Sequence, residues 1–109
     1  MTLLLSYRVN EGIRVSEDKG NGHRESVEVI VRDIVLFPEG VNVDFELRGL
    51  NRNSKLSLCE DEKYDVTHLC TLHLPRNPLK RRSLLIEDTV SLKFYAPREV
   101  KFGERKMYY

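Results

Sequence analysis

The chain is expected to adopt an all-β fold, a small antiparallel barrel or sandwich of short strands. Apolar and polar residues alternate with period two in several separate stretches, and no stretch sustains the 3.6-residue period of an amphipathic helix. Clusters of Gly, Pro, Asn and Asp punctuate those stretches, as closely spaced chain reversals require.

Taken in order, residues 2–9 form an apolar run closing on Ser6, Tyr7 and Arg8, and residues 12–15 alternate; both suit strands. Residues 17–25 collect charges and turn formers, so a loop in water is expected there. The alternation of Val27, Val29 and Val31 continues through Phe37 as one long strand, with a bulge near Asp33 where the pattern breaks. Pro38 presets φ and Gly40 tolerates positive φ, which a tight reversal needs. Val41, Val43, Phe45 and Leu47 then line one face of a half-buried strand that pairs back.

The segment at about 49–89 reads as an irregular insertion into a single domain spanning residues 1–109. Within it, Ser57-Leu58-Cys59-Glu60 resembles a capping box, predicting a short helix over residues 58–65. Residues 66–74 read as a strand with Val66, His68, Cys70, Leu72 and Leu74 on one face, and Pro75 and Pro78 force an extended connection after it. Val90, Leu92 and Phe94 alternate, Ala96-Pro97 breaks the run, and Val100 and Phe102 resume it, giving two short strands.

With 109 residues, 40% of them hydrophobic and 32% charged, the chain is expected to bury one modest core rather than stay disordered. It has no apolar run of the roughly 20 residues that span a bilayer and no signal-like leader, so an intracellular, cytoplasmic protein with reduced cysteines is expected. The formal charge of +1 conceals a gradient, since residues 76–109 carry 9 Lys/Arg against 4 Asp/Glu. A basic end of this kind suits a polyanion, or an acidic surface of the same protein.

Three stretches carry a resemblance. Residues 3–11, Leu-Leu-Leu-Ser-Tyr-Arg-Val-Asn-Glu, lead an apolar strand into an Arg-Val-x-Glu word; residues 26–47 are two Val/Ile-rich strands around a glycine turn; and residues 90–102 contain Ala96-Pro97-Arg98-Glu99-Val100. In this order they resemble the CsrA-type carbon storage regulators (also called RsmA), small bacterial proteins that bind messenger RNA. The resemblance implies an intertwined homodimer in which first and last strands pair across the subunits, with each RNA site recognising a GGA sequence displayed in a hairpin loop. Carried over by position, it nominates Leu5 and Arg8 on the first strand and Arg98, Val100 and Phe102 near the last. Physically, bases looped out of a hairpin are read by backbone groups of a sheet edge while arginines take phosphates.

The chain departs from that family at identifiable positions. Gly103-Glu104 stand where the family has a His-Arg pair, Tyr7 stands where a second arginine is usual, and residues 107–109 match only the start of a C-terminal helix. Arg105 follows at once, and a bulge or one-residue slip would bring it into the arginine's role. These departures set a second expectation of another class: a CsrA-like scaffold without specific RNA binding, acting as a protein-interaction or assembly subunit through residues 49–89.

Other constellations weigh less. Lys80, Arg81 and Arg82, with Arg76 nearby, are either accessory phosphate contacts or a solvated loop. Arg8 and Arg14 are either RNA contacts or ion-pair partners of Glu11 and Glu28. Tyr7, Tyr95, Tyr108 and Tyr109 either stack on bases or serve as strand and interface residues. Cys59, His68, Cys70 and His73 lack paired zinc spacing, so no metal or other cofactor is expected. No phosphate loop or nucleophile motif occurs, and the acidic cluster of Asp61, Glu62 and Asp65 reads as solvated, so an enzyme is not expected.

Overall fold

A computed structural model describes residues 2–18, 22, 24–49, 53–80 and 89–109 of the chain. Among these residues it is all-β, without a helix. In chain order the strands are β1 (Thr2–Tyr7), β2 (Glu11–Asp18), β3 (Arg24–Phe37), β4 (Gly40–Arg48), β5 (Asn53–Cys59), β6 (Lys63–Asp65), β7 (Thr71–His73), β8 (Leu79–Lys80), β9 (Thr89–Tyr95), β10 (Val100–Phe102) and β11 (Lys106–Met107).

They form two antiparallel sheets. One runs β2-β3-β4-β5, with β10 and β11 in series along the outer edge of β2. The other centres on β9, with β1 on one side, β7 and β8 in series on the other, and β6 beyond β7. Period-two alternation turns one face of each sheet inward. Leu3, Leu5 and Tyr7 stand opposite Phe94, Leu92 and Val90, and this set packs in a common core with Ile13, Val15, Val29, Val31, Val43 and Phe45 of the other sheet. Each such side chain taken fully out of water contributes about 1.5–3 kcal/mol.

The expected bulge is present: Val31 opposes Phe45 but Asp33 opposes Asp44, so β3 carries one extra residue there. Gly40 closes the β3–β4 reversal at φ 155°, where a Cβ would run into the Glu60 carboxylate. Glu60 accepts the N–H groups of Val41 at 2.8 Å and Asn77 at 2.6 Å, fastening that turn to the loop before β8.

The insertion differs from expectation. Residues 58–65 are not a helix but the end of β5, a turn and β6. Pairing with the open edge of β4 outweighs the local capping signal: Ser57 Oγ donates across the ladder to Asp44 at 2.6 Å instead of capping a helix. Asp61 takes the left-handed conformation of the turn (φ 71°), which a short polar side chain tolerates. The strand expected over residues 66–74 shrinks to β7, because Thr67 Oγ1 accepts from the N–H groups of Leu69 and Cys70 and Val66 donates to the Cys70 carbonyl, closing a turn instead. Cys70, Leu72 and Leu74 point inward as expected, whereas His68 is exposed. Rather than an irregular appendage, the insertion extends both sheets: β5 widens one, and β6, β7 and β8 complete the other.

No helix in the described residues is long and apolar enough to cross a membrane.

Candidate nucleic-acid interface

β1 is an edge strand, and its geometry starts the site. Val90, Leu92 and Phe94 are the register partners of Tyr7, Leu5 and Leu3, while Ser91, the partner of Ser6, turns its N–H the other way to the Pro78 carbonyl. In an antiparallel ladder, bonded and non-bonded pairs alternate, so the backbone groups of Thr2, Leu4 and Ser6 face the open edge. The Ser6 carbonyl there accepts a hydrogen bond from Arg105 Nη1 at 2.5 Å.

Arg105 arrives by a bulge. Phe102 opposes Val15 but Lys106 opposes Gly12, so the last segment gains one residue between β10 and β11. Arg105 Nε then lies 3.4 Å from Glu11 Oε2 and its guanidinium 6.0 Å from the Tyr7 ring centre. Arg8, just past β1, approaches the same carboxylate from the other side, with Nε 3.3 Å and its backbone N 2.7 Å from Glu11 Oε1. Two half-exposed guanidiniums thus share one largely covered carboxylate. Glu104 is exposed and makes no ion pair among the described residues.

The other sequence candidates scatter. The Leu5 side chain stands opposite Leu92, Val100 is 2% exposed, and Phe102 sets its ring edge against Phe94 at 5.7 Å, so these three apolar side chains pack on the core. Arg98 is exposed in the turn between β9 and β10, at the far end of β2 from Arg8 and Arg105, in a cleft of about 270 Å³ with Ser16, Asp18, Arg24, Glu99 and Lys101. Lys80 ends β8, while Arg81 and Arg82 lie outside the described residues. Tyr7 points inward, 1% exposed, and its hydroxyl has no hydrogen-bond partner among the described residues; burial pushes that phenol well above its usual range.

A third cluster, on the outer face of the larger sheet, was not singled out by spacing. Gly12 leaves room there, since a Cβ would meet the Val29 carbonyl at 2.5 Å and Ile30 at 3.0 Å. Tyr108 is buried, with the Lys106 ammonium 4.9 Å and the Arg48 guanidinium 5.8 Å from its ring centre. Arg32 Nη1 donates to the Tyr108 carbonyl and to Asn10 Oδ1, both at 2.9 Å. Burial, then the neighbouring Glu28, push the Tyr108 phenol up to about 12. Glu46 is held below the usual carboxylate range, first by its hydrogen bond to Arg48 and also by Arg32, whose Nε lies 3.0 Å away. Arg14 and Lys106 approach Glu28 at 3.8 and 4.0 Å. On this face the cations are largely neutralised by carboxylates.

The four metal-capable residues do not converge. Cys59 is exposed, Cys70 is buried, and His73 sits between the Tyr95 hydroxyl and the Asp61 carboxylate at 3.3 Å each. Asp61 is held below its usual range by that histidine first and by Arg76 beside it.

Comparison with protein-family models, with curated proteins and with solved structures returns no match.

Proposed function

We propose that the protein is an RNA-binding post-transcriptional regulator that contacts single-stranded bases displayed in a hairpin loop, GGA being the sequence to test first. The observation supporting this most directly is the bulge that sets Arg105 beside Arg8 at the open edge of β1. Backbone N–H and C=O groups at Thr2 and Leu4, which face the open edge of β1, offer donors and acceptors to base edges, and the two guanidiniums supply charge for phosphates or a face on which a base stacks. Glu11 cancels part of that charge, so affinity is expected to depend on the RNA displacing or sharing it.

A homodimer belongs to this reading. Within one chain β1 pairs with β9 and β10 with β2, and exchange of these pairings between copies would bring two sites into one assembly. A gel shift at moderate salt with a GGA-loop hairpin against its scrambled loop tests the function, with preferential retardation of the GGA loop expected. Equal or absent binding overturns sequence-specific recognition.

A second reading keeps the scaffold and replaces RNA with protein. It is favoured by the sharing of Glu11 between Arg8 and Arg105, and by Leu4, 55% exposed on the same edge strand, which suits addition of a partner's strand. Because β5 to β8 belong to both sheets, deleting the insertion would unfold the protein rather than test this reading. An Arg8→Ala, Arg105→Ala double variant, which keeps the backbone edge of β1 and removes the two guanidiniums, distinguishes the two: RNA retardation should be lost under the first reading, and partner capture retained under the second.

A further inference from the structure

The cleft holding Arg98 differs from the other basic clusters in one respect. Arg8, Arg14, Arg32, Arg48, Arg105 and Lys106 each lie against a carboxylate. Arg24, Arg98 and Lys101 are exposed and make no ion pair among the described residues. They converge from three places, the start of β3, the β9–β10 turn and the middle of β10, on one concavity. Register fixes part of this: Lys101 stands opposite Ser16, Ser16 opposite Ser26, and Arg24 opposite Asp18, so these side chains project from the same outer face. The Ser16 hydroxyl, bonded to Ser26 Oγ at 3.0 Å, adds a neutral donor or acceptor. Asp18 and Glu99 line the cleft too, leaving three cations against two carboxylates. At about 270 Å³ the space falls below the range typical of drug-sized ligands, and suits a small anion.

We infer that this cleft is a phosphate-binding site, in which Arg24, Arg98 and Lys101 surround a phosphate group and Ser16 hydrogen-bonds to it. Three convergent cationic donors that outnumber the two carboxylates beside them suit an oxyanion, and arginine's planar fork suits two phosphate oxygens at once. The phosphate belongs either to an RNA backbone or to a free phosphate compound. The RNA version rests on the function proposed above and deepens it. Along β2, the position opposite Lys106 and the position opposite Val100 are about 17 Å apart at about 3.4 Å per residue. A strand anchored at the β1 edge and in this cleft would therefore run along the outer side of β10, past Lys101.

Two measurements on the full chain test this. The first reads the cleft alone: inorganic phosphate is titrated at constant ionic strength while the backbone amide resonances of Arg24, Arg98 and Lys101 are followed. Saturable shifts that vanish in an Arg24→Ala, Arg98→Ala, Lys101→Ala triple variant are expected; shifts that are absent, or that persist in the variant, overturn the site. All three side chains are exposed, so the variant should keep its fold, which far-UV circular dichroism checks.

The second measurement follows fluorescence anisotropy of single-stranded RNAs of about four and about twelve nucleotides, near the two ends of the footprint that single-strand-binding folds cover. The triple variant should bind the longer RNA several-fold more weakly, with a salt dependence shallower by about 0.7 for each lost phosphate contact, and the shorter one unchanged. If phosphate saturates the cleft but the longer RNA does not respond to the substitutions, the RNA version falls and the site takes a free phosphate. If neither RNA binds the unaltered protein, the proposed function falls, and the phosphate titration still decides the cleft.

Discussion

Arg105 donates from Nη1 to the carbonyl of Ser6 at 2.5 Å, tying the last segment of the chain to the open edge of the first strand. The same guanidinium lies against Glu11 and over Tyr7, so one side chain organises the edge that is proposed to read RNA. Arg105→Ala should cost the fold no more than about 1 kcal/mol, as for other half-exposed ion pairs. It should weaken hairpin binding and reduce its salt dependence by about 0.7 for the lost phosphate contact. Filter binding at two salt concentrations beside a urea melt separates these effects, and an unchanged affinity would remove Arg105 from the interface.

Glu11→Gln carries the opposite sign. The carboxylate is shared by Arg8 and Arg105, and its neutralisation leaves both guanidiniums with more charge for phosphate. RNA affinity should rise and become more salt-dependent while stability falls slightly. A fall in affinity would show that Glu11 acts chiefly by holding Arg8 and Arg105 in place.

Tyr7 is 1% exposed with a hydroxyl that finds no partner among the described residues, an arrangement that costs about 1–3 kcal/mol. Tyr7→Phe keeps the ring against Phe94 and removes that cost, so the thermal midpoint should rise by several degrees. Tyr7→Arg, which would insert the arginine usual in the resembled family, should unfold the protein by placing an unpaired charge in the core. A midpoint unchanged in Tyr7→Phe would mean that the hydroxyl is hydrated.

How far the sequence reveals these features depends on how local their causes are. The inward row of Val41, Val43, Phe45 and Leu47, the bulge at Asp33 and the Gly40 reversal are each set by residues within a few positions, and all are legible. The inward turn of Tyr7 was legible too, since it continues the row of Leu3 and Leu5, although charge and aromaticity draw attention to other roles. The helix expected over residues 58–65 failed because the edge of β4, a distant partner, offered Ser57 and its neighbours a ladder. The meeting of Arg8 with Arg105 depends on one extra residue between β10 and β11, which no alternation announces because residues 103–106 are all polar or glycine. The cluster around Glu46 and Tyr108 is not legible, because the cations that meet there come from different strands.

Glu46 links stability to pH. Its folded pKa is depressed by the hydrogen bond from Arg48 and by Arg32, so its contribution is fully present above the unfolded value, near 4.5, and is lost as pH falls through the lower folded value. Between neutral pH and about 4.5 the contribution is therefore constant. Glu46→Gln should lower stability at pH 7 and flatten its decline below pH 4.5, as read from urea midpoints across an acid series. Parallel profiles for the two proteins would locate the acid sensitivity elsewhere.

The two cysteines should separate cleanly by chemistry. The Cys70 side chain is fully covered; burial, with Glu17 nearby as a second cause, pushes its thiol up to about 12. Cys59 is exposed at the end of β5, and its thiol is raised as well, chiefly by a hydrogen bond to Glu62. Since the thiolate is the reactive species, Cys59 should be modified by an aromatic disulfide reagent at pH 8 more slowly than a free cysteine, yet in a single phase complete under native conditions. Cys70 should react only as the protein opens, with a rate that rises in urea in proportion to the unfolded population. Glu62→Gln should speed the first phase and leave the second unchanged, because the Glu62 side chain accepts from the Cys59 backbone N–H in the exposed thiol's turn. Simultaneous modification of both thiols in native buffer would contradict the burial of β7 against β9 and the core position of Cys70.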